Sequence, residues 1–358
     1  MTSSVKGRRI ALITLGSNVP STRFRFYPYV QPLRERGHRC RVWTSFPSVY
    51  DELPLVGWRA SQFVKRSTRW CQYAQGQWYR PDTIYLERGC FHDASLAMDA
   101  RFRRLAKRLV LDVDDAVFLT FPEKIPELIR WSDHVVVSNR PLRDWVSQYT
   151  QNITEIPTCV PLARYPRRSP QPTDSSAPVV GWIGTTSNLG FLSVCAGALR
   201  RLARERKYTL LVVAPTDAPL KQIDLTGVSV RFEPWAPATE VARLQEMDVG
   251  IMPLPEGQEW MRYKAATKLV QYMAIGIPAV ASPIGVNADI LAGSRVGLAA
   301  TNEDEWLEGL RTLVRDPELR NRMGEAGRNL VESRYCVEAN LDTLEKVLTP
   351  EGMLPSKP

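Results

Sequence analysis

Histidine is scarce and cysteine is scattered. The three histidines (His38, His92, His134) and six cysteines (Cys40, Cys71, Cys90, Cys159, Cys195, Cys336) form no C-x-x-C pair. Zinc-ligand spacing is therefore lacking, and the cysteines read as small apolar residues of a reduced, cytosolic setting. Long hydrophobic runs are also missing. The longest, such as 10–15 and 210–214, fall far short of the roughly 20 residues that span a bilayer. Arg8 and Arg9 lead straight into a short strand-like run, which is not the pattern of a signal peptide. Neither G-x-G-x-x-G nor G-x-x-x-x-G-K-[ST] marks the loops after the strand-like runs, which argues against a dinucleotide fingerprint and a P-loop NTPase. What is present is ordinary: 358 residues, 44% hydrophobic and 24% charged. That composition excludes a disordered chain, a collagen and a disulfide miniprotein, and the length suggests two domains.

Charge is unevenly spread. The chain carries a net +9. Residues 1–170 hold 27 Lys and Arg against 15 Asp and Glu, an excess of twelve, whereas residues 171–358 hold 20 against 23. The basic half implies an anionic partner (nucleic acid, a lipid surface or a phosphorylated substrate) or a solvated arginine-rich surface.

Short β-rich apolar runs recur at 10–15, 40–44, 83–86, 109–113, 134–138 and 153–156, and again at 179–183, 210–214, 228–232, 249–253 and 279–282. Helical spacing fills many of the gaps, as at 25–36, 94–108, 189–206, 238–245 and 266–275. This alternation predicts an α/β protein with parallel sheets covered on both faces. The Pro- and Ser-rich stretch between them reads as a linker over 166–178. It separates a unit at 1–165 from one at 179–335, and residues 336–358 hold a last helix. In such sheets ligands bind beyond the C-terminal strand ends.

Several of the loops there carry chemistry. After the first strand, Gly16-Ser-Asn-Val-Pro-Ser21-Thr-Arg23-Phe-Arg25 offers hydroxyls and two guanidiniums able to grip a phosphate or carboxylate. Arg88 ends another strand, and Asp112, Asp114 and Asp115 crowd the end of the next. Three close carboxylates need cations or a ligand nearby, and Arg23, Arg25 and Arg88 are the expected cations. The set is either a polar floor for sugar hydroxyls or an N-cap with a loop ion pair. In the second half, Gly184-Thr185-Thr186-Ser-Asn188 follows a strand and precedes a helix, an arrangement suited to phosphate. A last segment holds Arg262, Lys264, Lys268 and Gln271, followed by Gly285 and Asn287. Lys264 and Lys268 share a face if helical. Three cations at a helix start oppose the dipole unless an anion sits there.

Here the residues resemble a known family. Asp248-Val-Gly-Ile-Met-Pro-Leu-Pro, then Lys264-x3-Lys268-Leu-x-Gln271-Tyr-Met-Ala-x-Gly-x-Pro-x-Val-Ala-Ser-Pro-x-Gly285-Val-Asn287, looks like the donor-binding half of retaining GT-B glycosyltransferases of family GT4 (glycosyl transferases group 1). Ser-Thr-Arg-Phe-Arg, Leu-Asp-Val-Asp-Asp-Ala-Val-Phe and Gly-Trp-Ile-Gly-Thr are similar to further motifs of that family. The resemblance spans most of residues 9–347. It implies the GT-B fold, two Rossmann-like domains with parallel sheets facing across a cleft, the last helix crossing back to the first domain. It implies a nucleotide diphosphate sugar as donor, no cofactor and no metal, and transfer with retention (EC 2.4). Asp114, Arg262 and Lys268 are then the catalytic candidates. Gly184, Thr185, Thr186, Lys264, Lys268, Gln271, Gly285 and Asn287 are the donor-side candidates. Ser21, Arg23, Arg25, Arg88 and Asp115 face the acceptor or the sugar.

The chain departs from the family at several places. Gln271 and Tyr263 occupy the positions of the usual glutamate pair. Thr185, Thr186 and Asn188 replace the usual Arg and Lys, so Arg262, Lys264 and Lys268 would carry the diphosphate charge. Asp114 stands where a histidine is common. A GT-B sugar-nucleotide epimerase or hydrolase is the alternative, and a non-catalytic basic nucleic-acid-binding protein a further one. No nucleic acid is expected as partner, since no helix-turn-helix, zinc-finger or RNA-binding signature is present; the acceptor is a carbohydrate, lipid-linked or other small molecule. Residues 58–80 interleave aromatics and cations, with Phe63, Trp70, Ala74 and Trp78 near one helical face. They form either an interfacial helix on an anionic membrane or a helix packing its aromatic face on its own domain. The expected location is the cytoplasm, with the inner membrane face as a peripheral site.

Overall fold

A computed structural model describes residues 7–55, 57–168 and 177–350. Residues 169–176, the middle of the expected linker, lie outside the described residues. The chain forms two compact units: one runs to Cys159 and resumes at Ala339, the other spans Val160–Glu338.

The first unit holds one parallel six-stranded sheet. Its strands are β1 (Arg9–Thr14), β2 (Arg39–Thr44), β3 (Thr83–Glu87), β4 (Arg108–Val113), β5 (His134–Val137) and β6 (Ile153–Glu155), in the order β2-β1-β3-β4-β5-β6. The inner strands are apolar at nearly every position because helices cover both faces; residues 10–13, 84–86 and 109–111 are almost wholly buried. Edge strand β2 instead alternates exposed Arg39 and Arg41 with buried Cys40. Ile10 pairs with Cys40 on one side and Thr83 on the other.

The second unit repeats the scheme with a different order. Strands β7 (Val179–Ile183), β8 (Thr209–Ala214), β9 (Ser229–Pro234), β10 (Val249–Met252), β11 (Ala279–Ala281) and β12 (Gly297–Ala299) lie as β12-β11-β10-β7-β8-β9, again all parallel. This is the doubly wound nucleotide-fold order, whereas the first unit has the order in which the second strand lies outermost. Strand β12 has only the residues Gly-Leu-Ala, too short and small-sided to show a strand pattern. Gly297 is needed there, since a Cβ would stand 2.4 Å from the Ala279 carbonyl oxygen.

Strand order reverses beside β1 in the first unit and beside β7 in the second. Neighbouring connections leave on opposite faces at such points, which opens a crevice at the C-terminal strand ends. The candidate residues gather at these two places.

Two helices of the first unit matter further on: α1 (Tyr27–Glu35) and α2 (Gly57–Tyr79). The second is inverted. It buries Ser61, Lys65, Arg69, Gln72 and Gly76, and leaves Phe63, Trp70 and Trp78 exposed. Of the two readings of its aromatic face, packing on its own domain is thus overturned. The reason is Arg69, fully buried, whose guanidinium donates to the carbonyls of Thr14 (2.7 Å), Trp43 (2.9 Å) and Cys90 (3.2 Å) and to Gln72 Oε1 (2.9 Å). These acceptors turn the polar face inward.

The last helix, Val337–Leu348, packs on the first unit from Ala339 onward. Leu341, Leu344 and Leu348 are buried. Thr83 Oγ1 donates to the Leu348 carbonyl at 2.7 Å, Arg108 Nε to that of Val347 at 2.8 Å, and His38 Nε2 meets Glu345 at 2.8 Å.

Candidate functional site

In the first unit, β1, β3 and β4 end in an ion-paired polar floor. A π-helical turn, Thr22–Phe26, follows the Gly16 loop and turns Arg25 inward. Arg25 forks onto Asp112, with Nε–Oδ1 at 2.7 Å and Nη2–Oδ2 at 2.8 Å, and its Nη1 donates to the Ile156 carbonyl at 2.8 Å. Tyr85 donates to the same carboxylate at 2.5 Å. Arg25 is 3% exposed and its donors are engaged, so it holds the floor together. The anion-gripping reading of Arg25 gives way to an internal bidentate pair.

Arg88 does the same for Asp114. It sits just past β3 at φ +53, and Gly89 follows at φ +137. This left-handed step is costly for a side-chain-bearing residue. It accompanies placement of Arg88 Nε 2.5 Å from Asp114 Oδ1, with Asp115 at 4.0 Å. Burial would raise the Asp114 pKa, but Arg88 and then Arg25 hold it below the usual carboxylate value. Asp114 is buried; Asp115 is half-buried and accepts from the Ala116 amide. The expected partnership of arginines and carboxylates is therefore present for Arg25 and Arg88; the Arg23 guanidinium lies 5.1 Å from the Phe24 ring centre.

Glu87 was not among the sequence candidates. It accepts from the Leu15 amide (2.8 Å) and Thr22 hydroxyl (2.6 Å), both on Oε2, with buried Ser21 beside it. Its Oε1 is buried with no hydrogen-bond partner. Burial pushes its pKa up to about 7, against those hydrogen bonds. The signal was a carboxylate closing the strand Thr-Ile-Tyr-Leu-Glu, where the other residues are apolar or small.

In the second unit the donor-side candidates surround the ends of β7, β10 and β11. Lys268 is the second residue of the helix Thr267–Ile275, whose first turn has no acidic residue. Its Nζ lies 5.3 Å from the Trp182 ring centre. Gly184 makes room for both: a Cβ there would meet the Trp182 ring at 2.6 Å and Lys268 Cε at 2.9 Å. Burial first, then nearby Lys264, lowers the Lys268 pKa to about 7. Lys264 is not on the same helical face. It follows the helix Glu259–Tyr263 in extended conformation, so a break separates the two lysines while leaving them close.

The remaining candidates divide into two sets. Arg262 is exposed, and its backbone packs on Gly285, where φ is +56 and a Cβ would lie 2.5 Å from the Arg262 carbonyl oxygen. Buried Asn287 donates to the Ser282 carbonyl at 3.1 Å, and Ser282 exchanges hydrogen bonds with Leu254. These residues clamp the loops after β10 and β11 together. Gln271 instead turns away: it is buried and donates to the Tyr165 hydroxyl at 3.3 Å, which donates on to Glu240. Thr185 is tied to Ser187 and Asn188. Thr186 opens a helix of only four residues, Thr186–Leu189, so its dipole adds little and charge at this edge comes from side chains. Among the described residues no group of His, Cys, Asp and Glu could hold a metal ion.

Comparison with known proteins fits this geometry. Residues 177–316, all within the second unit, match the family described as glycosyl transferases group 1. No curated protein sequence matches the chain. Among solved structures, sucrose-phosphate synthase from Thermosynechococcus elongatus is similar at 14% identity, with 95% of this chain and 98% of that chain covered and a TM-score of 0.68. A glycosyltransferase from Rickettsia africae is similar at 12% identity, covering 96% and 100%, with a TM-score of 0.66. An alpha-glucosyltransferase in complex with UDP-glucose and DNA is similar at 11% identity, covering 96% and 100%, with a TM-score of 0.69. The chain thus has the GT-B fold of glycosyltransferases. The same comparison corrects one expectation. Structures of this fold hold DNA in three complexes of the alpha-glucosyltransferase, so the absence of helix-turn-helix or finger motifs does not exclude nucleic acid. A base can be approached by loops at strand ends, which carry no such signature.

Proposed function

We propose that this protein is a glycosyltransferase that moves a sugar, with retention, from a nucleotide diphosphate sugar held by the second unit to an acceptor taken by the first. The observation that carries this reading is Lys268. It stands half-buried beside Trp182 and Gly184 at the strand-order reversal, close to a second lysine, with its ammonium discouraged by that burial. An isolated protein gains nothing from such a placement; a diphosphate supplies the missing counter-charge. Lys268, Lys264 and Arg262 would stabilise the charge growing on the departing diphosphate while the sugar becomes oxocarbenium-like. Cationic side chains suffice for that neutralisation, and a leaving-group oxygen can take the acceptor proton. On the acceptor side, Asp114, kept ionised by Arg88, is the group to face a sugar hydroxyl. The acceptor class includes nucleic acid, as for the alpha-glucosyltransferase of the same fold.

The test is a panel of nucleotide sugars screened by thermal shift, since a ligand bound to the folded state raises its melting temperature. One donor should raise it in the parent chain, and Lys268→Ala should abolish the rise and cut turnover by about 10²–10³-fold. An unchanged rise in the variant would remove the phosphate assignment.

A further inference from the structure

A second cationic site lies at the opposite end of the first sheet. A groove of about 510 Å³ opens there, lined by Arg9, Arg34, Arg39, Arg41, Trp78 and Tyr79 among others, with no carboxylate in its lining. Arg9 and Arg39 are the first residues of β1 and β2 and stand opposite each other in register. The groove is therefore at the N-terminal strand ends, whereas the sites above lie at the C-terminal ends. Arg39 and Arg41 are two apart on edge strand β2, hence on one face, and both are exposed. Arg41 stacks 4.8 Å over the Tyr79 ring. Asp82 stands at the margin of the cluster, accepting from the Arg9 amide at 2.8 Å; exposed Arg39 and Arg41 are the guanidiniums presented to an anion from outside.

The groove continues onto the outward face of α2. Phe63, Trp70, Ala74 and Trp78 follow one another at intervals of seven, four and four residues, one stripe of a helix. Phe63 is 72% exposed and Trp78 is 89% exposed. Arg59 and Arg66 flank the stripe, Arg66 reaching Asp93 at 3.4 Å, and Arg101 lies 4.5 Å over the Trp70 ring. From residue 53 to residue 81 the chain has five cations and no Asp or Glu. A 23-residue helix is about 35 Å long. Trp70 meets Tyr73 edge-on at 5.9 Å and carries Arg101 over its ring, yet the stripe stays exposed because the polar face of the helix is the one pinned inward by Arg69.

We propose that this face docks on an anionic phospholipid surface, the arginine groove taking headgroup phosphates while the ring stripe of α2 lies in the interface. The arrangement favours a membrane over a nucleic acid. Cations that track a duplex backbone run along the whole footprint, whereas here the arginines of the groove sit at one end and Arg59, Arg66 and Arg101 only border a stripe of large exposed rings. An interfacial helix needs that combination of buried apolar area and local positive charge. No described helix is long and apolar enough to cross a membrane, so the contact is peripheral.

The full chain is to be co-sedimented with vesicles of phosphatidylcholine alone and of phosphatidylcholine mixed with phosphatidylglycerol. It should pellet with the anionic vesicles, and less as salt is raised. Arg39→Ala with Arg41→Ala should weaken that partition roughly thirtyfold. Phe63→Ser with Trp78→Ser should also reduce it, and both pairs should melt like the parent because the side chains are exposed. A parent chain left in the supernatant with both vesicle types overturns the proposal, as does equal pelleting of either double variant. Inorganic phosphate that stabilises the parent but not the arginine variant, without vesicle binding, would make the groove a free-phosphate site. A gel shift of duplex DNA lost in the same variant, without vesicle binding, would make it a nucleic-acid face. Arginines that serve only to keep edge strand β2 from pairing would leave vesicle binding unchanged and make the variant self-associate.

Discussion

Two titrating side chains give the clearest residue-scale expectations, and they run in opposite directions. Lys268 has a folded pKa of about 7 against 10.5 when unperturbed. Between those values the unfolded chain binds a proton that the folded chain lacks, so this group makes stability rise with pH across that window. A diphosphate bound there, as proposed, would reverse the preference and draw the proton back. Donor binding should therefore take up a proton and weaken as pH passes above about 7, which calorimetry in buffers of different ionisation enthalpy will read. Binding with no proton uptake would mean that Lys268 stays charged without the donor. Glu87 is the reverse case, with a folded pKa of about 7 against 4.5. There the folded state keeps the extra proton, so stability falls as pH rises through that window, by up to about 3 kcal/mol. Glu87→Gln retains an acceptor for Leu15 and Thr22 and cannot ionise. It should flatten the pH dependence of chemical denaturation between those two values.

At the scale of elements, α2 shows how a helix can be legible as a helix while its face stays open. Aromatic spacing fitted both a core-facing stripe and an interfacial one. The deciding residue was Arg69, whose carbonyl acceptors lie in β1, β2 and the loop after β3, far apart in sequence. Arg69→Ala should lower stability by about 3 kcal/mol, since charged hydrogen bonds are lost and carbonyls are left buried; urea denaturation measures it. A loss within about 0.5 kcal/mol would show that the helix is held by something else. The loops of the candidate donor side teach the same point. Lys264 and Lys268 are four apart, but residues 264–266 are not helical, and Gly285 against the Arg262 backbone accompanies that break. The presence of the basic cluster was legible; its geometry was not.

For the whole molecule, the positive excess resolves into distinct places. Arg25 and Arg88 neutralise carboxylates inside the first unit. Arg9, Arg34, Arg39 and Arg41 gather in the groove at the other end. In the second unit, cations stand at the strand-order reversal. The last helix contributes to the first unit although it is 250 residues or so distant from the strands it covers. Leu344→Ala, which empties a buried position on that helix, should cost about 2–5 kcal/mol. By contrast, removing the exposed end of the Arg36–Asp342 pair should cost less than about 1 kcal/mol. Thermal melting of the two variants distinguishes a structural last helix from a loosely attached one.

The sequence alone determined the alternation of strands and helices, the parallel sheets and the loops that carry charge, because apolar period and glycine–proline punctuation are local properties. It also located the Arg25, Arg88 and Asp114 set as charges needing partners. Only the tertiary structure decided which arginine meets which carboxylate, that Gln271 turns toward Tyr165, that Glu87 is buried with an unpartnered oxygen, and that α2 shows its rings to the outside. Each of these depends on which strands become neighbours. Strand order arises from packing between residues far apart in the chain, and no local pattern encodes it.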